Sequence, residues 1–318
     1  MGNVTLQINL SPGDPNYARE TVPPLIEAHK DSVDEVLLVV DCCRPQGTRI
    51  VDRERKFPKP EFEKDLGEIR SISSSFEEAG LVDDVVFLEQ GDDIIDHISS
   101  KYLRGIISET HDFGGTALMS YLAGLEIPDT QYVLHYDGDM LLHQKDEYDW
   151  CKTAQGFMED KSEAVAASPR VSPPFAEERQ MGDAPSVHPG RPFEPVEGGW
   201  KNDWFSTRCF LMDKKKLAEY LPLVQGRLFL ETIVGKLVRH AYPRSPEIMF
   251  FKRIGKSGGW RLNLSSTKAW LLHPNNKGEK FLELLPRIQS AISEGTVPTQ
   301  QRGHANVDLE VWQRYFQN

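Results

Sequence analysis

No stretch of this 318-residue chain comes near the roughly 20 consecutive apolar residues that a membrane-spanning helix needs, so no transmembrane segment is expected. Cysteine is scarce: Cys42, Cys43, Cys151 and Cys209 include no C-x-x-C pair, and adjacent Cys42 and Cys43 are badly placed to bridge each other. Neither a zinc site nor a disulfide framework is indicated, and the expectation is buried free thiols in a reducing compartment. The start, Met1-Gly2-Asn3-Val4-Thr5-Leu6, has no basic region followed by an apolar core, which argues against a secretory signal and predicts a cytoplasmic protein. Positive charge is in deficit: 37 Lys and Arg stand against 48 Asp and Glu, a net −11, which argues against nucleic acid as a partner because that binding rests on cationic contacts to phosphates. Internal repeats and low-complexity linkers are missing too.

The length suits one large α/β domain with elaborations, and 39% hydrophobic with 27% charged residues is an ordinary globular composition. An acidic chain that handles phosphates must meet them locally. It can do so through a metal held by carboxylates, or through the basic stretch Lys252-Arg253-Ile254-Gly255-Lys256.

Along the chain, residues 4–10 alternate apolar and polar side chains and stop at Ser11-Pro12-Gly13-Asp14-Pro15, a strand followed by a turn. A helix follows over 17–29, and 35–41 is a continuous apolar run closing on Asp41, as in a buried parallel strand. The pattern then predicts a surface insertion at 52–64, a helix at 62–79, a strand at 85–88, and a helix over 116–123 opened by Gly114-Gly115, whose free backbone donors suit a ligand. Strands are expected at 163–168 and 204–212 and helices at 214–221 and 231–240. The Pro- and Gly-rich segment 169–203 between them reads as a long functional loop.

The most informative run is 132–142, an apolar strand leading into Asp137-Gly138-Asp139. Acids at the carboxyl end of a strand lie where open α/β sheets hold ligands. Two carboxylates there, with a glycine that permits close backbone approach, suit a hard divalent cation shared with substrate phosphates, such as those of a nucleotide diphosphate.

A strand ending at Ser11-Pro12, a strand ending at Asp41, Thr110-His111-Asp112-Phe113-Gly114-Gly115 opening a helix, and then Tyr136-Asp137-Gly138-Asp139 together resemble the nucleotide-binding half of GT-A glycosyltransferases, especially family 2. The match runs over about 3–142. Farther on, Phe229-Leu230-Glu231-Thr232 is similar to that family's acid-bearing helix start near the acceptor, and Trp270-Leu271-Leu272-His273-Pro274 to its late strand with a histidine.

The resemblance implies a Rossmann-like, mostly parallel sheet flanked by helices in a single domain over 1–318, with loop insertions. Residues 1–142 would be its nucleotide-binding half and 143–318 its acceptor-binding half. It implies Ser11, Pro12, Asp41, Asp112, Asp137 and Gly138 at the nucleotide, and Asp139 with Asp137 on Mn²⁺ or Mg²⁺. Glu231, with Asp203 second, would be the base that deprotonates the acceptor. His273 reads either as a third metal ligand or as a packed residue beside Trp270 and Leu272. The implied activity is metal-dependent, inverting transfer from a nucleotide sugar, with UDP favoured, to a hydroxyl acceptor that is free or at a membrane surface. Alternatives are a haloacid-dehalogenase-like phosphatase, whose acidic Gly91-Asp92 motif would here precede the nucleophile, and a nucleotide-sugar- or carbohydrate-binding protein without turnover.

Overall fold

A computed structural model describes residues 2–175 and 193–317. Its strands are β1 (Val4–Leu10), β2 (Glu35–Asp41), β3 (Asp84–Leu88), β4 (Tyr132–Asp137), β5 (Leu141–Gln144), β6 (Ala164–Ser168), β7 (Glu194–Val196), β8 (Gly199–Asn202), β9 (Cys209–Asp213), β10 (Trp260–Leu264) and β11 (Ala269–Leu272). Nine of them form one sheet in the order β3-β2-β1-β4-β9-β6-β10-β8-β7, and β5 pairs with β11 apart from it. From β3 to β4 every pairing is parallel. Beyond β4 the sheet is mixed, antiparallel at β9 and parallel again between β6 and β10.

The local causes are plain. All of β1 is buried, and its two parallel neighbours cover both edges, so it carries Val4, Leu6, Ile8 and Leu10 inward on one face while Thr5, Gln7 and Asn9 occupy the other. The helix Pro15–His29 starts with proline in its first turn and buries Tyr17, Ala18, Val22, Leu25 and Ile26 at helical spacing. The helix Lys59–Glu78 buries Ile69, Ile72 and Phe76. Both helices contribute to the core on the Val4–Leu6–Ile8 face, and a second core fills the other face through Leu118, Met119 and Leu122. All four cysteines are free and buried. Among the described residues, no helix is long and apolar enough to cross a membrane.

The apolar run 132–142 does not continue as one strand. Met140 N donates to Asp137 O at 3.1 Å and Gly138 N to Asn9 O at 3.0 Å, a turn that ends β4 and sends β5 out of the large sheet toward β11. A side chain at Gly138 would meet Leu10 Cδ2 at 2.4 Å and Asn9 O at 3.1 Å. Glycine is therefore fixed here by packing under the turn as well as by its position in the cavity wall described below.

Other boundaries shift for similar reasons. The helix expected from Thr116 begins at Met119, because Asp112 Oδ1 accepts from Gly114 N and Thr116 N at 2.8 and 2.9 Å and holds a turn there instead. The helix expected from Glu231 is Gly226–Val238, so Glu231 lies mid-helix. The expected loop 169–203 contains β7 and β8, and its residues 176–192 lie outside the described residues.

Candidate functional site

Strand order reverses between β1 and β4. From β1 the chain moves through the helix Pro15–His29 to β2 and β3 on one side, and it later inserts β4 on the other. In an open α/β sheet such a reversal leaves a crevice beyond the carboxyl ends of the strands, and ligands bind there. Here the crevice is a cavity of about 500 Å³ walled by Asn9, Ser11 and Pro12 at the end of β1, Asp41 and Cys43 at the end of β2, and Asp137, Gly138 and Asp139 at the end of β4. That volume falls in the roughly 300–1,000 Å³ range of small-molecule sites. Ser11, Pro12, Asp41, Asp137, Gly138 and Asp139, expected together from sequence, are thus brought together.

The turn at Gly138 also explains why the second small sheet matters. In the β5–β11 register Leu141 faces Leu272, so His273 emerges beside Asp139. His273 Nε2 stands 3.5 Å from Asp139 Oδ2, and the Lys277 ammonium, four residues on, ion-pairs with the same carboxylate. Burial pushes the Asp139 carboxyl up, but His273 and Lys277 outweigh it and hold the group at about 2. Asp139 Oδ1 is buried without a hydrogen-bond partner.

Lys277 also donates to Tyr17 Oη at 2.9 Å and lies over that ring, 5.0 Å from its centroid. Tyr17 donates in turn to Asp14, which accepts from Ser11 N at 2.6 Å and Ser11 Oγ at 3.0 Å. Burial raises Asp14 to about 6 despite the opposing pull of Lys277. The Ser11–Pro12 turn is therefore tied to the same cation as Asp139. Asp137 is oriented separately, its Oδ1 accepting from Tyr121 Oη at 2.6 Å.

At the far wall, Asp41 Oδ1 accepts from Cys43 N at 2.9 Å, while Oδ2 faces His111 Nε2 at 3.4 Å without closing a hydrogen bond. Burial raises Asp41 to about 7 and lowers His111 to about 4, so between those values the two face each other uncharged. An uncharged carboxyl can donate to an acceptor on a ligand, and above pH 7 the same group accepts.

Not every expected residue arrives. Asp112 is spent on its own turn, and its neighbours His111, Gly115 and Thr116 line the wall in its place. Glu231 lines none of the described cavities. It is held between Arg227 and Lys252 on a helix that buries only Leu228 and Thr232, and its carboxyl is held below the usual range chiefly by Lys252. Asp203 lies outside the large cavity, between Asn202 and Trp204 of a second, smaller cavity wall. The basic stretch 252–256 is engaged elsewhere too: Lys252 pairs with Glu231, Arg253 donates to Tyr220 O at 2.6 Å, and Lys256 lies over the Phe251 ring. Lys277 was missed, and its only sequence signal was a basic residue in the Asn275-Asn276-Lys277-Gly278 turn just after His273.

A buried carboxylate oxygen without a partner, beside an imidazole, fits one corner of a divalent-cation site of the kind that substrate phosphates complete. Among the described residues, no group of three or more His, Cys, Asp or Glu converges on one point, and Lys277 shares Asp139 with any such ion.

No protein-family model matches this sequence, and no curated protein matches it. Solved structures similar to it include the mannosyltransferase PcManGT from Pyrobaculum calidifontis in complex with GDP-Man and Mn²⁺, at 10% identity and TM-score 0.42 over 89% of this chain and 60% of that one. S. aureus TarS in complex with UDP-GlcNAc is similar at 11% identity and TM-score 0.42, over 92% of this chain and 67% of that one. The galactosyltransferase LgtC in complex with donor and acceptor sugar analogs is similar at 13% identity and TM-score 0.32, over 94% and 99%. Likeness at this level carries none of the argument that follows.

Proposed function

We propose that this protein is a GT-A-like glycosyltransferase that moves a sugar from a nucleoside-diphosphate sugar, UDP-linked by preference, to a hydroxyl acceptor. The observation that carries the reading is the cavity at the β1–β4 reversal, where strand-end carboxylates face Lys277 and His273 from across the cleft. In this reading 1–318 is one domain, with 1–142 its nucleotide half and 143–318 its acceptor half.

Ser11, Pro12 and the Asp41–His111 wall receive the nucleoside, and Asp137, oriented by Tyr121, faces the ribose. The diphosphate lies against Lys277, a partly exposed cation on the cavity wall that supplies positive charge to the leaving group. When bound, Mn²⁺ or Mg²⁺ at Asp139 and His273 supplies Lewis-acid neutralisation of the same phosphates. Asp203 is the proposed acceptor base on the family resemblance alone; Asn202 and Trp204 on either side of it line the second cavity, and Asp203 itself lines neither. A carboxylate opposite the leaving group would give inversion, because the acceptor hydroxyl then attacks the anomeric carbon in one displacement from that face as the nucleoside diphosphate departs, and the oxocarbenium-like centre means that only modest deprotonation is needed.

The test is release of nucleoside diphosphate from a panel of UDP- and GDP-sugars with Mn²⁺ or Mg²⁺. One donor is expected to turn over, and Asp139→Ala to lower its rate at least about a hundredfold. A wild-type protein inert toward every donor, or an Asp139→Ala variant as fast as wild type, would overturn the assignment.

A further inference from the structure

The second cavity, of about 60 Å³, lies beside Asp139 of the first: its wall includes Met140, the next residue, and His273, whose Nε2 stands 3.5 Å from Asp139 Oδ2, together with Ser168, Asn202, Trp204, Arg208 and Arg261. Its volume is that of about two water molecules, enough for a carboxylate or phosphate group and too small for a sugar ring. Arg261 sits on β10 opposite Asn202 of β8, so the two side chains share a face of the sheet and both reach the cavity wall.

Arg261 is 4% exposed, and its Nε is buried with no hydrogen-bond partner. Among the described residues no carboxylate forms an ion pair with it. Glu247 is the charge that acts on it, and Glu247 Oε1 accepts from Thr207 N at 3.2 Å. Burial lowers the guanidinium to about 10, which leaves it charged at neutral pH. A buried guanidinium without a direct counter-ion is costly to the fold, and the cost is recovered when an anion arrives. Its planar fork matches carboxylate and phosphate oxygens pairwise.

We propose that this cavity is the anion-recognising part of the acceptor subsite, so that the hydroxyl acceptor carries a carboxylate or phosphate bound by Arg261 with Arg208. The inference rests on the transferase reading for its word "acceptor" and on Arg261 for the word "anion". A head group anchored there leaves the rest of the acceptor to extend past His273 toward the diphosphate.

The experiment is a thermal-shift titration of the protein held at saturating nucleoside diphosphate and constant ionic strength, with inorganic phosphate, lactate and glycerol as probes. Phosphate or lactate, whichever matches the native head group, is expected to raise the melting temperature, and glycerol to leave it unchanged. Arg261→Gln should abolish that shift and Arg208→Gln weaken apparent affinity about tenfold, with the shift caused by the nucleotide retained in both. Should Arg261→Gln lose its cooperative melt, Arg208→Gln decides. An anion shift unchanged in the variants, or absent while the nucleotide shift persists, overturns the anionic-acceptor inference alone. An arginine-dependent anion shift in a protein that binds no nucleoside diphosphate overturns the transferase reading and leaves the anion site standing.

Discussion

The carboxylates of one cleft come from the first half of the chain, and most of the cations there and in its neighbour come from the second. Residues up to 142 line the large cavity with Asp14, Asp41, Asp137 and Asp139 and with one cation, Lys56, which donates to Gly114 O at 2.9 Å, and the later residues supply Lys277 to that cavity and His273, Arg208 and Arg261 to its neighbour. The first set is held at the ends of parallel strands; the second depends on the turn after β11, on Arg208 just before β9 and on Arg261 near the start of β10. On the proposed reading, an acidic protein makes a phosphate site without a basic surface. Carboxylates shape one wall, Lys56 stands on the same side, and Lys277 is carried across from the other half to meet them. Asp139 is where the two sets touch, bound at once to Lys277 and beside His273.

The comparison breaks most severely if that junction is removed. Asp139→Ala should lower donor turnover at least about a hundredfold, measured as released nucleoside diphosphate. Lys277→Met removes the cation and leaves the carboxylates in place; nucleoside-diphosphate affinity by calorimetry should fall about ten- to a hundredfold, the worth of one charge-assisted hydrogen bond. An unchanged affinity would mean that the later half contributes no charge to the phosphates.

Asp41 sharpens the comparison through pH. Its carboxyl is raised from 3.8 to about 7 in the folded state, so between those values the folded protein holds a proton that the unfolded chain releases, and stability from this group falls as pH rises. His111, lowered from 6.5 to about 4, pulls the other way. Asp41→Asn should therefore gain stability relative to wild type as pH goes from 4 to 7.5, by at most about 4 kcal/mol, in denaturant titrations at each pH. A difference that stays flat across this range would contradict the buried, uncharged carboxyl. Gly138→Ala should cost about 1–3 kcal/mol by forcing Leu10 and the Asn9 carbonyl aside. Smallest is Glu231→Gln, which breaks only partly exposed pairs with Arg227 and Lys252; stability should change by less than about 1 kcal/mol, and turnover by less than about twofold.

The first half was legible from its sequence because β1 shows clean alternation and β2 a continuous apolar run, and the acids that end β2 and follow β4 mark the cavity edge. Asp41, Asp137 and Asp139 follow from that rule alone. Where side chains are recruited across long sequence separations, the pattern is silent. Lys277 sits in an asparagine-rich turn with no periodicity, and its partners Asp139 and Tyr17 lie far away in the chain. Glu231 shows the opposite failure: an acid with family-like neighbours was legible, yet its helix starts earlier than expected and turns it toward Lys252. Asp112 belongs to a third kind, since aspartate before a Gly-Gly pair serves a turn as readily as a ligand, and here the turn takes it.

The central claim is that the cleft between the two halves binds a nucleoside diphosphate. Its most direct test is a thermal-shift panel of UDP, GDP, CDP, dTDP and ADP, with and without Mn²⁺, on wild type and Lys277→Met. A higher melting temperature with one nucleotide, reduced in the variant, is the predicted result. A wild-type protein whose melting temperature is indifferent to all five, with and without Mn²⁺, would contradict it.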